Sequence, residues 1–277
     1  MESPCIMHLR HARSLLFLPA SNARAIAKAR TLPCDMVILD LEDAVADDAK
    51  DIARDSAIAA LGEGFGPRLA AVRINVEGTL WHGAEMIALK GAAADYVVLP
   101  KVEHPKQVRD VFSVTQKPVI AMIESARGVL AAAAIAAAEG CAALFMGNND
   151  LRKDLGIPAS AGRDGLAHAM QIVVLAARAA GLAVFDGVYN RLDDTDGLAA
   201  ECRAGHALGF DGKTLIHPGQ VAVANAIFGP DAQALEDAHR LIAAATGGAE
   251  RFEGAMIETM HVDQARALIA RAQAVET

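Results

Sequence analysis

Glu124 ends the apolar run Val119-Ile-Ala-Met-Ile123 and is followed at once by Ser125, Ala126, Arg127, Gly128 and an alanine-rich stretch. A run of this length with β-branched residues reads as a strand buried on both faces. Its interior has no use for a carboxylate, so Glu124 belongs at the strand's C-terminal mouth. The same layout recurs along the chain. Asp40, Glu42 and Asp43 end or follow one apolar run, Arg73 and Asn75 a second, and Lys101 and Glu103 a third; Asp150, Asp186 and His217 follow three more. Carboxylates crowded at one mouth repel each other unless a cation sits among them. Mg²⁺ suits such a set, because it takes oxygen ligands, keeps several waters and needs only one or two protein carboxylates. Glu124 and Asp150, on adjacent strands, make the natural metal pair, and Arg73 is placed to fork onto a substrate carboxylate. Asp40, Glu42, Asp43, Lys101 and His217 are candidate supporting residues around them. Each has a plainer alternative: a strand-end Asp or Glu equally suits a helix N-cap, Lys101 can simply pair with Glu103, and His217 before Pro218 reads first as a structural histidine.

The elements that would gather these residues alternate regularly. Strands are predicted over residues 14–19, 36–41, 69–74, 96–99, 119–123, 142–146, 182–185 and 212–216. Helices are predicted near 23–30, 47–61, 80–90, 105–114, 129–138, 163–180, 195–208, 220–227, 231–245 and 262–274, with Asn22 as an N-cap and Pro105 in a first turn. Eight strand signals whose starts lie 22 to 40 residues apart suit β-α units. An open doubly wound sheet would carry a Gly-rich loop after its first strand, and Pro19-Ala20-Ser21-Asn22 has no glycine. The expected fold is therefore a closed (β/α)8 TIM barrel over residues 1–230, with a C-terminal helical extension over 231–277. In such a barrel the strands' C-terminal ends open on the face where active sites lie.

Composition excludes several other classes. With 26 basic against 34 acidic residues, the net charge is −8, which argues against nucleic acid as a partner. Cys5, Cys34, Cys141 and Cys202 are scattered without a Cys-x-x-Cys pair and read as reduced thiols of a cytoplasmic protein. Residues 1–8 lack the basic-then-apolar layout of a secretion signal. The low-polarity run 129–138 is too short to span a bilayer, so no membrane partner is expected.

Several stretches together resemble one family: Arg13-Ser-Leu-Leu-Phe-Leu-Pro19, Val37-Ile-Leu-Asp-Leu-Glu-Asp-Ala-Val45, Arg73-Ile-Asn75, Leu99-Pro-Lys-Val-Glu103, Ile123-Glu-Ser125, Gly147-Asn-Asn-Asp-Leu151, Gly209-Phe-Asp-Gly-Lys213 and Ile216-His-Pro218. They are similar, in order and over nearly the whole chain, to the citrate lyase β-subunit family of the HpcH/HpaI aldolase superfamily, which includes malyl-CoA and citramalyl-CoA lyases. The resemblance implies a homotrimer or hexamer that binds Mg²⁺ and a CoA or carrier-protein thioester. It also implies that Glu124 and Asp150 are the metal ligands and that Arg73 and Glu124 face the substrate. In that family a C-terminal Gly-x-Met-Ile-Asp places its aspartate in a neighbouring subunit's site as acid/base. Here the segment reads Gly254-Ala-Met-Ile-Glu258, so the role would fall to Glu258, one methylene longer. The implied activity is carbon–carbon cleavage of a carboxylate-bearing β-hydroxyacyl-CoA to an acyl-CoA and a 2-oxo acid, or the reverse. Alternatives are a malyl-CoA thioesterase or malate-synthase-like reaction at the same site, and a citrate lyase β subunit working within a complex. Arg10, Arg13 and Lys28 are the candidates for CoA binding.

Overall fold

The computed structural model describes residues 9–158 and 160–276. Its eight strands are β1 (Ser14–Pro19), β2 (Met36–Asp40), β3 (Leu69–Arg73), β4 (Tyr96–Leu99), β5 (Val119–Ile123), β6 (Cys141–Met146), β7 (Ala183–Asp186) and β8 (Gly212–Leu215). All pair in parallel, each with the next in sequence, and β8 closes onto β1. The expected barrel is what forms. Around it lie α1 (Ala23–Ala29), α2 (Lys50–Glu63), α3 (His82–Leu89), α4 (Pro105–Thr115), α5 (Ala126–Ala136), α6 (Asn148–Asp154), α7 (Ala167–Ala179), α8 (Thr195–Leu208) and α9 (Val221–Phe228). Beyond the barrel come α10 (Ala232–Ala244), an antiparallel hairpin of β9 (Glu250–Phe252) and β10 (Ala255–Ile257), and α11 (Thr259–Glu276).

Side-chain alternation divides each strand between two cores. Leu15, Met36, Ile38, Ala71, Val98, Ile120, Met122, Phe145 and Phe185 fill the barrel interior. Val37, Leu39, Val72, Val97, Ala121, Leu144, Val184 and Leu215 face the helices. Because the interior is packed, with Phe145 edge-on to both Phe17 and Phe185, the barrel leaves room for a ligand above this core and not within it. The strand-end side chains at the next inward positions are Phe17, Asp40, Arg73 and Glu124.

Helix starts follow local chemistry. Asn22 accepts from Ala25 N at 3.1 Å and Ser125 from Gly128 N at 3.1 Å, each relieving an orphan donor of a first turn. His104 caps α4 in a box closed by Gln107, with Pro105 in the first turn as expected. Two features differ from expectation. Residues 148–154 wind into α6 directly after β6, and α7 starts at Ala167 after a 3-10 turn over Asp164–Leu166. The β9–β10 hairpin carries no strong alternation in sequence and rests on Gly254 at φ 89°.

Cys34 and Cys202 are buried and Cys141 half-buried, all as free thiols; Cys5 and the N-terminal residues 1–8 lie outside the described residues. Among the described residues no helix is long and apolar enough to cross a membrane.

Candidate active site

The C-terminal ends of the strands surround a cavity of about 370 Å³, lined among others by Phe17, Asp40, Asp43, Arg73, Met122, Glu124, Gly147, Asn148, Asp150 and Thr214. The mouth thus gathers five of the residues singled out in the sequence: Asp40, Asp43, Arg73, Glu124 and Asp150.

Arg73 stands on the β3 end beside Asp40, its register partner on β2. Its Nε and Nη2 donate to the two Asp40 oxygens, both at 2.6 Å, in a bidentate fork. Its Nη1 lies 2.9 Å from Glu42 Oε2, and the guanidinium lies 5.0 Å over the Phe17 ring. Burial works against its charge, but the hydrogen bonds and charge of Asp40, then Glu42 and Asp43, outweigh it and raise its pKa further. The fork expected for a substrate is therefore spent on Asp40, and Nη1 is the edge left facing other partners. Asp40 is itself fixed by the N–H groups of Glu42 and Ala44, at 2.9 and 3.1 Å.

Glu42 does not line the cavity but sits buried behind it, with Lys101 Nζ 3.4 Å from Oε1. Burial, with Asp43 and Asp40 nearby, pushes its carboxyl up to about 7 against the pull of Arg73 and Lys101. Its loop is clamped from below. Buried Lys50 donates to the carbonyls of Leu41 and Glu42 at 3.0 and 2.9 Å, and its ammonium packs 5.1 Å over Trp81. Asn75 does not reach the mouth. It turns away to Glu85, which accepts from Asn75 N at 2.7 Å and Nδ2 at 2.5 Å, while Nδ2 also bonds Leu41 O at 2.9 Å. Lys50 and Glu85 were not legible as site residues, because both lie within helical patterns.

Glu124 is 6% exposed. Its Oε1 accepts from Lys101 N at 2.6 Å. Its other oxygen occupies the space that a side chain at residue 147 would fill: a Cβ there would stand 2.4 Å from Oε2. Burial pushes Glu124 up to about 7, reinforced by Glu42 and Asp150 and opposed by the Lys101 N–H and Arg73. Asp150 lies in the first turn of α6, half-buried, 3.5 Å from Lys101 Nζ. Among the described residues no three His, Cys, Asp or Glu side chains gather to hold a metal ion. A pair of carboxylates lining one cavity still fits Mg²⁺, which completes its shell with water, and a cation there would favour the ionised form that burial disfavours at Glu124.

Several expectations are corrected. Lys101 does not pair with Glu103; Glu103 accepts from Ser125 Oγ at 2.7 Å and lies 3.7 Å from Arg127. Asp186 points outward, because Phe185 takes the inward position. Buried between barrel and helices, it binds Lys213 Nζ at 2.9 Å and Arg163 at 3.0 Å, with Glu201 2.8 Å from Lys213. Burial raises its pKa, but Lys213 and Arg163 outweigh this and leave it lowered. His217 is exposed and caps the following 3-10 turn, accepting from Gly219 N at 3.1 Å, as the structural alternative read from the sequence anticipates. Arg10, Arg13 and Lys28 lie away from the mouth. Arg10 and Arg13 precede β1 at the opposite end of the barrel, where Arg13 is committed to Asp35, and Lys28 sits in the last turn of α1. Glu258 is exposed at the end of the hairpin, with its N–H donating to His261 Nδ1 at 3.0 Å, and it does not line its own chain's cavity.

Fold and mouth together define a parallel-barrel enzyme with a carboxylate pair and an arginine at the C-terminal face. Residues 13–218 match the HpcH/HpaI aldolase/citrate lyase family, and the chain belongs to that family. It is 42% identical to a (3S)-malyl-CoA thioesterase of Cereibacter sphaeroides over 95% of both chains. It is 37% identical to a citrate lyase subunit beta-like protein of Mycobacterium tuberculosis, covering 96% of this chain and 98% of that one. The crystal structure of Mycobacterium tuberculosis CitE with magnesium, acetoacetate and coenzyme A superimposes with a TM-score of 0.83 at 36% identity, covering 96% of this chain and all of that one.

Proposed function

We propose that the chain is a Mg²⁺-dependent lyase that cleaves the carbon–carbon bond of a β-hydroxyacyl-CoA bearing a carboxylate beside its hydroxyl, such as a malyl-CoA. The observation that carries this is the convergence of Glu124, Asp150 and Arg73 on one cavity above a packed barrel. Glu124 and Asp150 would hold the metal, and when bound it would supply Lewis acidity toward the substrate oxygen that becomes a carbonyl. Arg73 Nη1 orients the substrate carboxylate, taking over the place that Glu42 fills here. The hydroxyl gives up its proton to solvent as it becomes the 2-oxo group, the electron pair of the breaking carbon–carbon bond passes to the thioester α-carbon as an enolate, and that carbon then gains a proton. Glu258 of a neighbouring protomer delivers that proton. This arrangement is supported by its exposure on a segment outside the barrel and by its absence from its own chain's mouth. A homotrimer or hexamer in the cytoplasm, with residues 231–277 completing the neighbour's site, follows from that reading.

Hydrolysis of the thioester at the same mouth is the second reading. Two observations favour it: the relative named a (3S)-malyl-CoA thioesterase, and the extra methylene that carries the Glu258 carboxyl about one bond length beyond where the family's aspartate would put it. Product analysis separates the two. Incubated with malyl-CoA and Mg²⁺, a lyase yields acetyl-CoA and glyoxylate in equal amounts, whereas a thioesterase yields free CoA and malate. EDTA and Glu124→Ala should abolish either activity; full turnover in the presence of EDTA would refute the metal reading.

A further inference from the structure

Lys101 touches both carboxylates of the proposed metal pair. Its main-chain N–H donates to Glu124 Oε1 at 2.6 Å, and its ammonium lies 3.5 Å from Asp150 Oδ2 and 3.4 Å from Glu42 Oε1. Lys101 makes this main-chain contact at φ 50°, a left-handed conformation disfavoured for any residue with a Cβ. Such strain persists only where the surroundings over-determine it, and it concentrates at functional sites. Here the twist turns the N–H toward Glu124 and leaves the other carboxylate oxygen beside Gly147. The side chain behaves differently from the backbone. At 3.4 and 3.5 Å the ammonium is shared between two carboxylates and seated on neither, and it remains 42% exposed on a flexible stem.

We propose that Lys101 positions the metal site in two separable ways. Its backbone fixes Glu124, and its ammonium, lodged between Glu42 and Asp150, is a resident counter-ion to Asp150 until a divalent cation displaces it toward solvent. The proposal rests on the metal assignment above. Its consequence is that the side-chain charge opposes metal binding while the backbone supports it. Even at the dielectric of water, a unit charge ~6 Å from a divalent ion changes its affinity about tenfold. Removing the charge while keeping the backbone should therefore tighten binding.

The test is titration of the full chain with Mn²⁺, free ion being read by electron paramagnetic resonance, for wild type, Lys101→Met, Lys101→Gln, Lys101→Arg and Glu124→Gln. Both neutral variants should bind Mn²⁺ about tenfold more tightly than wild type, and Lys101→Arg should stay within about twofold of it. Equal or weaker binding by the neutral variants overturns the proposal, as does equal tightening in Lys101→Arg, which would make packing and not charge the cause. Absence of binding by wild type, or unchanged binding by Glu124→Gln, overturns the metal assignment itself and the proposal with it.

Discussion

Gly147→Ala tests the site at the point where its geometry is tightest. Gly147 has φ −97° and ψ 77°, so alanine is tolerated by the backbone and the effect reduces to what the new methyl meets. That methyl would stand 2.3 Å from Glu124 Cβ and 2.4 Å from Oε2. Ordinary contact between carbon atoms lies near ~3.5–4.0 Å, so Glu124 must retreat by more than ~1 Å. Displacement of a reacting or liganding group by ~1 Å costs about 100-fold in rate, or about 2.7 kcal/mol. Crowding of this kind also costs about 1–3 kcal/mol of stability, which leaves a domain of this size folded. We therefore expect kcat/KM for the CoA thioester to fall about 100-fold and Mg²⁺ affinity, measured calorimetrically, to weaken, while circular dichroism remains that of the wild type. A folded Gly147→Ala protein with wild-type turnover and metal affinity would show that Glu124 is not held against Gly147 for function.

Two further predictions concern stability. Lys213 is fully buried and binds Asp186, Glu201 and the Gly187 carbonyl, so Lys213→Met strips partners from a buried carboxylate. It should lower stability by about 3–5 kcal/mol in urea denaturation, and a loss under about 1 kcal/mol would show that Arg163 alone suffices. Glu42, raised to about 7 from an ordinary value of 4.5, holds a proton when folded that the unfolded chain releases. In metal-free protein its contribution to stability is present below the unfolded value and is lost as pH rises from about 4.5 to about 7, by at most about 3 kcal/mol. Glu42→Gln should remove that part of the pH dependence, so its melting temperature should gain on wild type between pH 5 and pH 8; parallel curves would contradict the assignment.

The barrel was legible because apolar runs recur at β-α spacing, most of them with a polar residue at or just beyond their ends; all eight strands lie within a residue or so of the expected bounds. What polarity alone did not supply was the side of the wall each strand-end residue faces. Counting by twos from the inward residues supplies it: Ile38 leads to Asp40, Ala71 to Arg73 and Met122 to Glu124, all on the cavity, while Phe185 leaves Asp186 outside. Lys213 was hidden for the same reason, as the outward residue of a short strand otherwise read as apolar. Asp150 does line the cavity, but α6 and not the end of β6 presents it. Lys50 and Glu85 escaped notice because a buried cation on two carbonyls and a buried carboxylate on an asparagine depend on contacts made after folding. The left-handed turn at Lys101 is equally invisible in a sequence where that position carries no glycine.

The outward burial of Asp186 and Lys213 has a consequence for the rim above them. With those charges drawn into the wall, the arc formed by β7, β8 and β1 presents Val188, Thr214, Ile216, Phe17, Leu18 and Pro19, while Asp40, Asp43, Arg73, Glu124 and Asp150 occupy the opposite arc. The opening is electrically one-sided. Under the proposed metal assignment, a guest whose anionic head is drawn to Arg73 and to a cation between Glu124 and Asp150 would lay its neutral remainder along the other arc, in a single sense, before any group has begun to react.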